Sequence, residues 1–145
     1  MIVFRHHDSL EAEWLPNRIG LVPTRHFKCL ANVIDGRVVG AVGYDGFNGA
    51  SVHMHSAGDG NWVTKKLLWA AFDYPFNACK LGMVIGVVPS GNVQALKFNE
   101  NLGFTTQCKL EGAHPDGSLI LMTMRREQCR FLNLRRRSHG QEISA

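Results

Sequence analysis

Val87-Val88-Pro89-Ser90-Gly91-Asn92-Val93-Gln94-Ala95-Leu96-Lys97-Phe98-Asn99-Glu100-Asn101-Leu102-Gly103-Phe104 spells a short apolar strand, a turn and a helix with both of its ends marked. The strand breaks at Pro89-Ser90-Gly91, and Asn92 is a residue type whose side-chain oxygen accepts from an amide of the first helical turn. Ala95, Phe98 and Leu102 then recur at i, i+3 and i+7, which places them on one helix face. Gly103 is suited to the left-handed conformation that closes a helix, and Phe104 to packing back over the last turn.

The flanking sequence extends this into an α/β pattern. Residues 9–15 predict a short helix with Ser9 as N-cap, halted by Pro16. Residues 27–34 and 37–44 predict two strands joined by Asp35-Gly36, a strong hairpin turn. A turn over 46–49 leads to a strand over 50–56. A glycine-rich bend, Ala57-Gly58-Asp59-Gly60-Asn61, opens a helix over 62–73 that Pro75 bends or ends. The run over 83–88 is apolar apart from Gly86, which predicts a central strand buried on both faces. Residues 105–110 and 118–124 predict a last strand pair around His114-Pro115-Asp116-Gly117. The expected fold class is α/β, a mixed, mostly antiparallel sheet flanked by helices.

Composition narrows the class. A chain of 145 residues is expected to form one domain with a sizeable core. Hydrophobic residues at 45% and charged residues at 19% are ordinary for a globular protein. No apolar run approaches the roughly 20 residues that span a bilayer, and no signal-peptide pattern stands behind Arg5, His6, His7 and Asp8. Cys29, Cys79, Cys108 and Cys129 are scattered without a C-x-x-C pair, which argues against a zinc knuckle or a disulfide framework. The expected location is cytoplasmic, with reduced thiols. Arginines crowd the end of the chain, and Arg135, Arg136 and Arg137 against Glu142 supply half of the net charge of +4. Residues 1–132 are read as the domain and 133–145 as a basic, flexible tail; nucleic-acid binding through that tail is the lesser reading.

With the pattern N-x-x-A-x-x-x-Y-x-x-x-G-F in view, Asn92, Ala95, Gly103 and Phe104 resemble the C-terminal half of the GNAT superfamily of N-acetyltransferases. The resemblance extends over residues 27–124 and departs at the tyrosine position, which is Asn99 here. Trp62-x-Thr64-Lys65, Trp69, Phe72-Asp73-Tyr74-Pro75-Phe76 and His114-Pro115-Asp116-Gly117 look like a variant phage and bacterial subgroup. In that subgroup a W-x-T-K/R segment replaces the usual glycine-rich phosphate loop. Met124-Arg125-Arg126-x-x-Cys129-Arg130 resembles the same subgroup.

The resemblance implies acetyl-CoA as co-substrate, an unidentified amine acceptor and no metal; it leaves a homodimer open. Its diphosphate would sit on the amides of Asn61, Trp62, Val63, Thr64 and Lys65. Asn61 is expected to cap that helix, and Lys65 or Lys66 to add positive charge. Cations in a first turn oppose the helix dipole at about 0.3–1 kcal/mol each, and a bound anion would reverse that sign. The pantetheine arm would pair with the backbone of Met54 and Ser56 as an added strand, and Asn92 would touch it.

For the chemistry, His53 and His55 alternate with Met54, so both imidazoles face one side of a strand. Either is suited to accept the amine proton near neutral pH. As a zinc pair they lack a third ligand at supporting spacing. Asn99 can donate a hydrogen bond to the thioester sulfur but cannot act as an acid; Tyr74 is the nearest phenol in sequence. Two readings stay open: an active N-acetyltransferase using direct amine attack, or a degenerate GNAT domain that binds CoA or a partner without catalysis.

Overall fold

The computed structural model describes residues 1–134, so Arg135, Arg136, Arg137 and the rest of the basic tail lie outside the described residues. The chain runs β1 (Ile2–His6), α1 (Leu10–Ile19), β2 (Lys28–Ile34), β3 (Arg37–Asp45), β4 (Ser51–Gly58) and α2 (Lys65–Asp73). It continues through a π-helical turn (Tyr74–Ala78) to β5 (Met83–Pro89), α3 (Val93–Leu102), β6 (Thr105–His114) and β7 (Gly117–Arg125). The strands form one seven-stranded sheet in the order β1-β2-β3-β4-β5-β7-β6. All neighbours are antiparallel except β4 and β5, which run parallel because α2 carries the chain back between them. The expected mixed, mostly antiparallel α/β sheet is therefore present.

Local chemistry accounts for most boundaries. Asp35 and Gly36 both take positive φ, as a two-residue hairpin between paired Ile34 and Arg37 requires. Asn92 caps α3 through Oδ1, which accepts from the Ala95 amide at 3.1 Å. Gly103 closes α3 at φ 111°, and its amide and that of Phe104 return to the Asn99 carbonyl. Arg130 donates to the carbonyls of Leu102 and Asn101, satisfying acceptors the helix end leaves open. Arg126 does the same for the π turn, donating to the Phe76 carbonyl and to Asn77. The late arginine motif thus serves as two helix-end clamps.

Four expectations are corrected. Pro16 does not halt the first helix, which continues to Ile19 and closes at Gly20. Ala12, Leu15 and Pro16 are all buried on it, and that burial outweighs one missing backbone bond. An unforeseen strand, β1, pairs with β2 from Ile2↔Asn32 to His6↔Lys28. The second helix starts at Lys65, not near Trp62, and its cap is Thr64 rather than Asn61: Thr64 Oγ1 accepts from the Leu67 amide at 3.1 Å. Finally, β5 is central but not buried on both faces; Val84, Gly86 and Val88 are buried while Met83, Ile85 and Val87 are half-exposed. The helix α1 covers the β1–β4 part of its face, while α2 and α3 lie on the opposite face.

The larger core lies under α2. Phe72 stacks on Phe76 and Phe131 with ring centroids 6.3 and 5.2 Å apart, and tilts against Phe104 at 6.4 Å. Packing reaches Leu132 and Leu134, just past the boundary expected at 132. Among the described residues no helix is long and apolar enough to cross a membrane.

Phe72→Ala is expected to cost about 3–5 kcal/mol, read as a lower urea midpoint with unchanged slope. Burial, with Glu11 adding, pushes the Cys29 thiol up to about 12, and burial raises Tyr44 as well. Because the folded state holds these protons more tightly, stability should be flat below about pH 9 and fall as pH rises from there through about 12. Thermal melts across that range test this.

Candidate active site

The β4–β5 pairing lasts only three positions, Ser51↔Met83, Val52↔Val84 and His53↔Ile85. Beyond it β4 stays paired to β3 as far as Gly58, and β5 to β7 as far as Pro89. Each strand therefore follows its outer partner, and the sheet opens between them. Their inner backbone groups, from Met54 on β4 and Gly86 on β5, lose their ladder partner there, so hydrogen-bonding backbone faces the gap. A cavity of about 770 Å³ occupies the opening. Met54, Ser56, Gly86 and Asn99 line it from the α2–α3 face, and His55, Ala57, Val87 and Leu119 from the α1 face. The opening thus passes through the sheet.

Asn99 projects from α3 over Gly86. Its Nδ2 lies 3.8 Å from Met122 Sδ, and a Cβ at position 86 would stand 3.3 Å from that same nitrogen. Glycine in β5 thereby makes room for the amide at the root of the opening. On the α1 face, His55 Nε2 lies 3.0 Å from Asp45 Oδ1. His53 sits on the same strand face but outside the cavity, against Gly46.

One cross-strand row seats Trp62. Asn32 pairs with Gly40 and Gly40 with Gly58. The buried Asn32 donates Nδ2 to the Trp62 carbonyl at 3.0 Å, and the indole lies across the two glycines. The far side of Trp62 meets Phe98 of α3, centroids 5.9 Å apart. The following residues lead into α2, where the amides of Lys65 and Lys66 have no intrahelical acceptor. Asp59 is neutralised by a fork from Arg18, whose Nη1 lies 2.8 Å from Oδ2. That bond also raises the pKa of Arg18.

No protein-family model and no curated protein sequence matches the chain. Solved structures do. A spermidine N-acetyltransferase chimera from Vibrio cholerae and hSSAT superposes with a TM-score of 0.69 at 15% identity, over 91% of this chain and 99% of that one. The Campylobacter jejuni N-acetyltransferase PseH, in complex with acetyl coenzyme A, gives 0.60 at 12% identity, covering 87% and 99%. The ribosomal-protein-S5-alanine acetyltransferase of Vibrio fischeri gives 0.57 at 16% identity, covering 72% and 63%. The chain has the GNAT fold.

Within this GNAT fold, the sequence-derived candidates divide by position. His55, Met54, Ser56, Trp62, Val63, Asn92 and Asn99 line the cavity, whereas His53, Asn61, Thr64, Lys65 and Lys66 do not. Asn61, Lys65 and Lys66 are exposed at the loop and the start of α2. Tyr74 is not at the cavity. It packs among Phe4, Tyr44 and Phe47, and burial together with a bond to Cys79 raises its pKa. Among the described residues no group of three or more His, Cys, Asp or Glu is arranged to hold a metal ion. In the sequence Asp45, like Glu11 and Glu13, is an acidic residue suited to meet a cationic amine, with nothing to fix its position. Arg18 and Phe98 carry no site role there, though Phe98 has a signal in its place on the apolar stripe of α3.

A Cβ on Gly58 would lie 2.2 Å from the Trp62 ring. Gly58→Ala is therefore expected to unseat the indole, red-shift tryptophan fluorescence and cost about 1–3 kcal/mol. Gly91→Ala, where nothing lies within 4 Å, should leave both unchanged.

Proposed function

We propose that this chain is an acetyl-CoA-dependent N-acetyltransferase that passes the acetyl group to an amine by direct attack. The observation that carries the proposal is the opening between β4 and β5. It offers unpaired strand backbone to an extended amide-bearing arm and gives access from both faces of the sheet. Pantetheine is such an arm, and strand-like pairing with Met54 and Ser56 would fill the missing ladder. Its diphosphate would lie near the amides and ammonium groups of Lys65 and Lys66, at the positive end of α2, with Asn61 to Thr64 as the approach. We read this loop as a variant phosphate site in which charge and amides replace a glycine-rich wrap. Asn92 lines the same cavity beside α3.

The thioester then lies between Asn99 on one face and His55 on the other. Attack by an uncharged amine on the carbonyl carbon forms the C–N bond and breaks C–S. His55 accepts the amine proton, and His53 is its outlying neighbour. The Asn99 Nδ2–H donates a hydrogen bond to the sulfur. CoA leaves as thiolate and takes its proton from water, because an amide cannot supply one. The neighbouring folds are named for acceptors as different as spermidine and a ribosomal-protein alanine, so the reaction is carried over here and the acceptor is not.

Asn99 also supports a second reading, a CoA-binding module without turnover, because the position lacks a proton donor. Calorimetric titration with acetyl-CoA, followed by thiol release over alkylamines, spermidine, lysine and short peptides, separates the two. Binding with amine-dependent CoA release is expected. His55→Ala should lower turnover well over tenfold with acetyl-CoA affinity intact, and Asn99→Ala should lower kcat by a smaller factor. Binding without release supports the module. No heat and no thermal shift at millimolar acetyl-CoA overturns both.

A further inference from the structure

The Asp45–His55 pair is built into paired strands rather than loops. Gly43 pairs with His55 and Asp45 with His53, so the carboxylate of β3 lies diagonal to the imidazole of β4 on the same face. The two side chains keep only 13% and 18% of their exposure. Gly43 adds no side chain beside the ring, and the space above it holds Leu15 and Phe27, which would lie 2.5–2.7 Å from a Cβ there. The other groups around His55 leave this contact unopposed. His53 shares its strand face outside the cavity, β5 offers apolar Ile85 and Val87, and α1 brings Arg18, whose guanidinium is taken by Asp59.

A carboxylate only accepts, so a neutral His55 facing Asp45 must carry its proton on Nε2. That leaves the lone pair on Nδ1. No buried side-chain nitrogen or oxygen among the described residues lacks a partner, and Nδ1 has none, so it is open to the cavity side or to water. We propose that Asp45 is the positioning residue of an Asp45–His55 dyad whose Nδ1 takes the proton from the acceptor amine. The proposal rests on the acetyl-transfer reading above. As the amine nitrogen bonds to the acetyl carbon and the C–S bond breaks, its proton moves to Nδ1. The imidazolium formed is balanced by the Asp45 carboxylate and then returns the proton to water. No covalent enzyme intermediate is required.

Asp45→Asn keeps the shape but reverses the preference, since an amide can donate to Nε2 and move the ring proton to Nδ1, where it blocks the base. The expected result is a fall in kcat on the order of 10²-fold with the KM for acetyl-CoA and the melting temperature unchanged. In a His55→Ala background the same substitution should change kcat less than about twofold, because the two residues act as one unit. Asp45→Glu should recover part of the activity. Full activity in Asp45→Asn, or effects that multiply in the double variant, would overturn the dyad. Nitrogen-15 spectra of the His55 ring supply a readout that needs no acceptor. The Nε2–H form is expected in the native protein and the Nδ1–H form in Asp45→Asn, and an identical tautomer in both sinks the proposal. Failure of the acetyl-transfer reading shows separately, as native protein that releases no CoA with any amine while the ring spectra still report the pair.

Discussion

Three parallel residue pairs between β4 and β5 are the constraint on which the rest depends. Seven strands each carry a twist, and among the described residues the only parallel junction sits in the middle of the sheet. Because β4 is held by β3 along its length and β5 by β7, neither strand can follow the other once pairing stops at His53 and Ile85. Unsatisfied backbone, a cavity and access from two faces arise together from that one divergence. Two polar groups flank its root: Asn99 over Gly86 on one face and His55 beside Asp45 on the other.

The loop after β4 solves a different problem. Here a tryptophan is seated on two glycines and held by a buried asparagine, which anchors the loop to the sheet. The indole reaches Phe98 and so ties the loop to α3 across the cavity. Asp59, whose charge is unfavourable near an anion, is neutralised by Arg18 from α1. The lysines that destabilise the start of α2 in isolation stay exposed, with the first-turn amides beside them.

Legibility in the sequence followed interaction range. Asn92, Gly103 and Asp35-Gly36 act on backbone within four residues, and the structure uses each as read. Pro16 does not end α1 because burial of Ala12 and Leu15 overrides a local breaker. Thr64 rather than Asn61 caps α2 because Trp62, pinned on the sheet, delays the helix by a turn. The short run at Ile2–His6 carried too few residues to show alternation. It became a strand only because β2 offered an edge.

By itself, the sequence determined the order of helices and strands from α1 onward, the α/β class and the alternation that puts His53 and His55 on one strand face. These follow from period and capping, which are properties of neighbouring residues. Only the tertiary structure decided which histidine lines the opening, that Asp45 is its partner, that Tyr74 lies elsewhere and that β5 is half-exposed. Those outcomes depend on where two strands stop pairing and on which face a helix leaves uncovered. Both are set by contacts between segments far apart in the chain, and no local pattern encodes them.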